Sequence, residues 1–271
     1  MAFVWEFVKI VLLGILEGVT EWLPISSTGH LLLFDRVLVL HQSEAFKEVF
    51  FVVIQLGAIL AVVVKYGKRL TPIGWEKKKI VWKKSVLLLW GKVALSCVPG
   101  FLAVVLLDDF FEAHFHTPLS IAVALIVYGV MFLLPEKIFP KAHQKLSKMG
   151  FANALWIGIF QALSIVPGTS RSGATMLGAR FCGMEKSDAA EFSFFMAVPV
   201  MFGYSLWKLM RLGALFTVSE TAALIAGMLV SFAVSLAVIS FLIRYLKSHS
   251  LSLFGWYRIV LGVLILVFLC R

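Results

Sequence analysis

Apolar residues run along this chain in blocks long enough to cross a bilayer, separated by short polar punctuation. Windows bounded by charge or by Gly and Pro fall at 49–64, 86–107, 118–134, 190–206, 221–243 and 253–270. Each is near the ~20 residues that a helix rising 1.5 Å per residue needs to span a hydrocarbon core of about 30 Å. They predict six transmembrane helices. Two further apolar stretches, 2–34 and 151–181, are broken in the middle by polar, Gly/Pro-containing loops, Glu17 to His30 and Gln161 to Thr175. Non-helical backbone is tolerated at membrane depth only where protein or a water-filled cavity covers it. These stretches therefore read as re-entrant helix-loop-helix pairs that enter and leave on one side.

The two broken stretches resemble each other. GILEGVTEWLPISSTGH from Gly14 and GIFQALSIVPGTSRSGA from Gly158 align at an offset of 144, with Glu17 opposite Gln161, and a one-residue slip sets Pro24 opposite Pro167. Similar motifs open the next span in each half, Glu48-Val-Phe-Phe and Glu191-Phe-Ser-Phe-Phe. The chain thus reads as one integral membrane domain, 1–271, holding two repeat halves, about 1–134 and 150–271. A re-entrant pair makes no net crossing and three spans come after it, an odd number, so the halves must be inverted and the loops must approach the midplane from opposite faces. The expected fold is an all-α polytopic membrane protein: six transmembrane helices plus two re-entrant pairs in an inverted-topology repeat.

Composition agrees: 61% of residues are hydrophobic and 15% charged, which excludes ordinary soluble composition. Lys and Arg number 25 against 15 Asp and Glu, a net +10. The excess lies in two linkers, 65–84 (Lys65, Lys68, Arg69, Lys77, Lys78, Lys79, Lys83, Lys84) and 135–150 (Lys137, Lys141, Lys145, Lys148). It is not interleaved with aromatics, so no nucleic-acid partner is expected, and the linkers read as cytoplasmic orientation signals. The intervening linker, 108–117, carries Asp108, Asp109 and Glu112 without Lys or Arg and falls outside. Both termini are then outside, with the first broken loop entering from the outer face. Cys97, Cys182 and Cys270 form no CxxC, so neither disulfide nor zinc site is expected. Glu6, Lys9 and Glu17 interrupt the N-terminal apolar run and no small-residue cleavage site ends it, so no removable signal peptide is expected.

The chemistry sits in the broken loops. Glu17 and Glu21 lie four apart on one helix face. An ionisable side chain at membrane depth costs about 2.5–3.5 kcal/mol on insertion scales, so two like charges together call for a cation or a shared proton. A divalent metal with oxygen ligands, Mg²⁺ or Ca²⁺, fits best; neutralisation by a nearby Lys or Arg is the plainer alternative. Pro24 ends the helix, and Ser26, Ser27, Thr28, Gly29 and His30 come next, before the apolar run resumes. Helix capping accounts for one hydroxyl of this set. His30 reads as general base or nucleophile. The second loop, Gly168, Thr169, Ser170, Arg171, Ser172, Gly173 and on to Thr175, offers glycines, hydroxyls and one guanidinium. Arg171 suits bidentate recognition of phosphate oxygens, the alternative being a side chain that snorkels to the surface. Other positions read as structural. Glu48 and Glu191 are explained by charge at a helix N-terminus, and Gly14-xxx-Gly18 by close helix packing. Lys92 either snorkels or pairs, the tryptophans suit interfacial or packing positions, and His41, His114, His116, His143 and His249 fall in linkers.

Glu17-xxx-Glu21, Ser27-Thr28-Gly29-His30 and Pro167-Gly168-Thr169-Ser170-Arg171-Ser172 together resemble the signature regions of the undecaprenyl-pyrophosphate phosphatase, or bacitracin-resistance, family of bacterial membranes, over essentially the whole chain. The resemblance implies hydrolysis of a polyprenyl diphosphate to the monophosphate carrier reused in cell-wall synthesis, with divalent-metal dependence. It implies Glu17 and Glu21 for metal and phosphate handling, Ser27 and His30 for the attack, and Arg171 as phosphate clamp. Ser26, Thr28, Gly168, Thr169, Ser170, Ser172 and Thr175 line up as substrate-binding positions. His30 activating Ser27 is the working mechanism; direct attack by His30 or by a metal-bound water stays open. The expected setting is the bacterial inner membrane, with a cavity open to the outer face, the bilayer and a lipid diphosphate as partners, and a homodimer neither required nor excluded. The rival from another class is a secondary transporter or flippase of a lipid phosphate, which shares inverted repeats and broken helices. The type-2 phosphatidic-acid phosphatases require a His six residues after the Arg, where this chain has Leu177.

Overall fold

The computed structural model describes residues 2–34, 38–76, 79–142, 144–212 and 216–270. Lys77, Lys78 and His143, assigned above to linkers, lie outside them. The described helices are α1 (Ala2–Thr20), α2 (Ser27–Phe34), α3 (Glu44–Leu70), α4 (Lys84–Phe115), α5 (Pro118–Phe132), α6 (Phe151–Ala162), α7 (Arg171–Phe181), α8 (Lys186–Leu212), α9 (Val218–Leu246) and α10 (Ser252–Leu269). A small hairpin interrupts the basic linker between α3 and α4: β1 (Ile73–Glu76) runs antiparallel to β2 (Lys79–Trp82), with Ile73 opposite Trp82.

Among the described residues five helices, α3, α4, α8, α9 and α10, are long and apolar enough to cross a membrane. The window 118–134 forms the 15-residue α5, only about 22 Å long at 1.5 Å per residue and short of a ~30 Å core. Thr117 caps its start, and Pro135 cannot continue the hydrogen-bond ladder beyond its end. α5 lies flush on α10 because glycines face each other there: a Cβ on Gly129 would come within 2.9 Å of the Gly255 carbonyl oxygen, and one on Gly255 within 2.7 Å of that of Gly129. α4 is longer than expected. Asp108, Asp109 and Glu112 belong to its exposed last turns rather than to a linker, as does His114.

Both broken stretches are helical hairpins, α1 on α2 and α6 on α7. They enter from opposite ends of the bundle. Near the start of α1, Lys9 donates to the Val39 carbonyl, 2.6 Å away and just before α3 begins. α6 instead begins beside the start of α4, where Lys92 Nζ lies 5.8 Å from the centre of the Phe151 ring. At that same end Trp90 Nε1 donates to the carbonyl of Leu70, the last residue of α3 (2.8 Å).

The helix pairing repeats under exchange of the halves. α1 packs along α9 as α6 packs along α4, while α3 meets α8 and α5 meets α10. A Cβ on Gly14 would lie 2.9 Å from the Gly227 carbonyl oxygen, and one on Gly158, its partner at the offset of 144, would lie 2.4 Å from that of Ser96. Gly14-xxx-Gly18 is indeed a packing motif. Glu48 and Glu191 have a different role from the one expected. α3 starts at Glu44 and α8 at Lys186, so neither glutamate lies in a first turn; Glu48 pairs with Lys208 at 3.6 Å and Glu191 with Arg69. These two bridges bind α3 to α8 at opposite ends.

Candidate active site

Helical geometry persists briefly beyond α1, since the Glu21 amide donates to the Glu17 carbonyl (3.0 Å) and that of Leu23 to Val19 (3.3 Å). Glu17 and Glu21 therefore stack one turn apart. Pro24 ends the run, and Ser26 takes a left-handed backbone, φ 73°, while its hydroxyl accepts from the Gly29 amide at 3.3 Å. The second loop does the same at the same place: Ser170 has φ 70° and its hydroxyl accepts from the Gly173 amide at 3.2 Å. Left-handed backbone is uncommon for residues other than glycine. Gly168, φ 90°, could not carry a side chain, because its Cβ would fall 2.6 Å from the Ile121 carbonyl oxygen.

The two loops meet at a cavity of ≈ 270 Å³ whose wall includes Glu21, Ser27 and Thr28 from the first and Gly168, Ser170, Arg171 and Ser172 from the second. Arg171 joins them. Its Nη2 donates to Glu21 Oε1 at 2.6 Å, its Nη1 donates to the Ser193 carbonyl at 2.9 Å, and the guanidinium lies 5.9 Å from the centre of the Trp22 ring. The two side chains are only 13% and 10% exposed, so the pair lies in a poorly screened setting. Arg171 does not snorkel away.

Other predicted residues stand behind this wall. Ser26 and Thr169 are buried. Thr175 Oγ1 lies 2.9 Å from the Arg171 carbonyl oxygen and 2.7 Å from Ser193 Oγ, bracing the first turn of α7. His30 is buried and not on the cavity wall. Its Nδ1 lies 2.7 Å from the Ser26 carbonyl oxygen, which can only accept, so Nδ1 carries the proton; Nε2, 2.6 Å from Tyr257 Oη, then accepts. No hydrogen bond joins His30 to Ser27 among the described residues. Glu17 is buried, and among the described residues no cation pairs with it.

A metal fits this donor set in one way. No group of three or more His, Cys, Asp and Glu gathers among the described residues, so the chain offers no closed cage. Two carboxylates one turn apart, with the Ser27 and Thr28 hydroxyls on the adjoining wall, are the partial oxygen set that Mg²⁺ accepts when water and substrate phosphates complete it.

Three residues that the sequence reading passed over belong to the site. Gln55 of α3 and Tyr204 of α8 line the cavity. Arg258 of α10, fully buried, donates to the Pro24 carbonyl of one loop (3.2 Å) and to the Gly168 and Thr169 carbonyls of the other (2.9 Å each). Its signal was present: a single cation inside the apolar run 253–270, which at membrane depth asks for a reason.

The profile of bacitracin resistance protein BacA matches residues 10–264. The undecaprenyl-diphosphatase of Enterococcus faecalis is 52% identical over 266 residues, covering 97% of this chain and 96% of its own. Those of Streptococcus equi subsp. zooepidemicus strain H70 and of Lachnoclostridium phytofermentans are 50% and 48% identical, over 97% and 96% of this chain and 96% of each of theirs. The matched region contains both loops and every residue of the cavity wall, and the chain belongs to the bacitracin resistance protein BacA family.

Proposed function

We infer that this protein is an undecaprenyl-diphosphatase, hydrolysing the phosphoanhydride of a membrane-held polyprenyl diphosphate to the monophosphate carrier and inorganic phosphate. The observation that carries this reading is the Glu21–Arg171 pair on the wall of a polar cavity within an apolar bundle. Phosphoryl transfer asks mainly for positioned charge, and a substrate anchored in the bilayer asks for that charge at membrane depth. The relatives, named as undecaprenyl-diphosphatases, point the same way, and against the transporter alternative.

In our reading, the incoming diphosphate draws the Arg171 fork from Glu21 onto its terminal phosphate. Ser27 Oγ attacks the terminal phosphorus, the anhydride P–O bond breaks, and the prenyl monophosphate leaves. Glu21, the one carboxylate on the cavity wall among the described residues, takes the Ser27 proton. Water then cleaves the phosphoserine. His30, engaged at both nitrogens, acts as a brace that holds Ser26 and so presents Ser27, rather than as a base in direct contact. Glu17 and Glu21 would hold a divalent cation, Mg²⁺ or Ca²⁺, whose charge would offset that on the phosphoryl oxygens.

We take the bacterial inner membrane as the setting and, on the positive-inside rule, read the lysine-rich end of the bundle as cytoplasmic, so that the Glu21 loop enters from outside. One chain supplies the whole cavity wall. Phosphate release from undecaprenyl diphosphate by the detergent-purified protein, with and without EDTA, tests the reading. Metal-dependent release supports it, and no release from folded protein across metals and lipids moves the assignment to a lipid-phosphate carrier.

A further inference from the structure

Arg258 is a fully buried guanidinium with no carboxylate partner among the described residues. Its hydrogen bonds go to backbone carbonyls: Pro24 on the first loop, Gly168 and Thr169 on the second, and Leu125 of α5 at 3.5 Å. The rings of Tyr128 and Phe132 lie 5.5 and 5.8 Å from it. A buried charge whose partner is missing is strongly destabilising, so this one calls for a function beyond packing. Its planar fork reaches the two loops from separate nitrogens, Nη1 to Pro24 and Nη2 to Gly168 and Thr169, which the single nitrogen of a lysine could not.

Peptide planarity then fixes what faces the other way. Every peptide here is trans, so a carbonyl turned toward Arg258 sends the N–H of the following residue away from it. Of the three loop peptides so held, the Ile25 amide is taken by the Leu23 carbonyl (2.7 Å) and the Thr169 amide by that of Val166 (3.2 Å). The Ser170 amide has no acceptor among the described residues, and Ser170 lines the cavity. A cation on the Thr169 carbonyl also polarises that same peptide unit and strengthens its N–H as a donor.

We propose that Arg258 is a positioning residue: by gripping both loops through their carbonyls it holds Ser170 in its left-handed conformation and aims the Ser170 backbone N–H at the phosphoryl oxygens of the diphosphate. The proposal rests on the phosphatase reading.

Two measurements test it. In R258K, which keeps the charge but loses the fork, kcat per folded molecule falls about 10- to 100-fold, the scale of a misplaced oxyanion donor, while KM changes less than about threefold. R258M falls at least as far. In the unaltered protein, binding of inorganic vanadate slows hydrogen exchange at the Ser170 amide. An R258K protein with a lowered melting temperature but wild-type kcat overturns the proposal, as does a Ser170 amide whose exchange is unchanged at vanadate concentrations that inhibit. Wild-type protein that releases no phosphate overturns the phosphatase reading and this proposal with it; wild-type release with unchanged kcat in R258K overturns this proposal alone.

Discussion

Ser26 and Ser170 stand 144 residues apart and hold the same left-handed backbone, φ 73° and 70°, each with its hydroxyl capping its own return helix. They are the only non-glycine residues of positive φ among those described. The repeat has kept the turn while the side chains around it have diverged. Ser27 corresponds to Arg171, His30 to Ala174, and Glu17 to Gln161. A two-fold scaffold therefore carries one-sided side chains, with the two carboxylates and the Ser27 hydroxyl on one loop and a guanidinium on the other.

Ser27→Ala is expected to lower kcat by at least about 10³-fold, since the hydroxyl that forms the phosphoenzyme is gone. Rapid quenching with substrate labelled in the terminal phosphate should leave the label on Ser27. Full activity in the variant removes Ser27 as nucleophile and returns the attack to water.

Gly158→Ala drives a Cβ to 2.4 Å from the Ser96 carbonyl oxygen, whereas Gly203→Ala meets nothing within 4 Å. The first should destabilise by about 1–3 kcal/mol through overpacking of α6 on α4. The second should be neutral or stabilising by up to about 1 kcal/mol from helix propensity. Thermal unfolding of the two detergent-purified variants compares them; equal melting temperatures would contradict the swapped helix contact.

Removing divalent cations with EDTA should abolish turnover, and Mg²⁺ or Ca²⁺ should restore it. Glu17→Gln should raise the concentration needed for half-restoration, because one of two carboxylate ligands is gone. Wild-type activity in EDTA would remove the metal from the account.

Sidedness is testable in a cysteine-free background. Ser219→Cys, at the start of α9, should react with an impermeant maleimide in intact cells, and Lys148→Cys, at the lysine-rich end, should react only after permeabilisation. The reverse pattern would turn the whole bundle over and place the Glu21 loop on the cytoplasmic side.

Much of the architecture was legible because it rests on hydrophobic length and on a repeated motif. The broken stretches stood out because Glu21, Pro24 and His30 cannot continue an apolar span. What escaped has a physical reason in each case. Arg258 binds carbonyl groups, which every residue carries, so no partner side chain marks it in the sequence. The bond of His30 to Tyr257 depends on packing across 227 residues. The span windows at 86–107 and 118–134 missed their helix ends, because composition does not show where capping by Thr117 starts α5. Glu48 and Glu191 were given a local explanation, although their partners, Lys208 and Arg69, lie on the other repeat.

The central claim is that Glu21 and Arg171, one from each repeat and 2.6 Å apart, act as one unit. A double-mutant cycle on kcat/KM with Glu21→Gln, Arg171→Ala and the pair tests it most directly. Each single change should cost at least about 10²-fold and the double variant should be little worse than either, the non-additivity of residues that work together. Losses that multiply in the double variant would show two independent contributions and contradict a single site shared by the two loops.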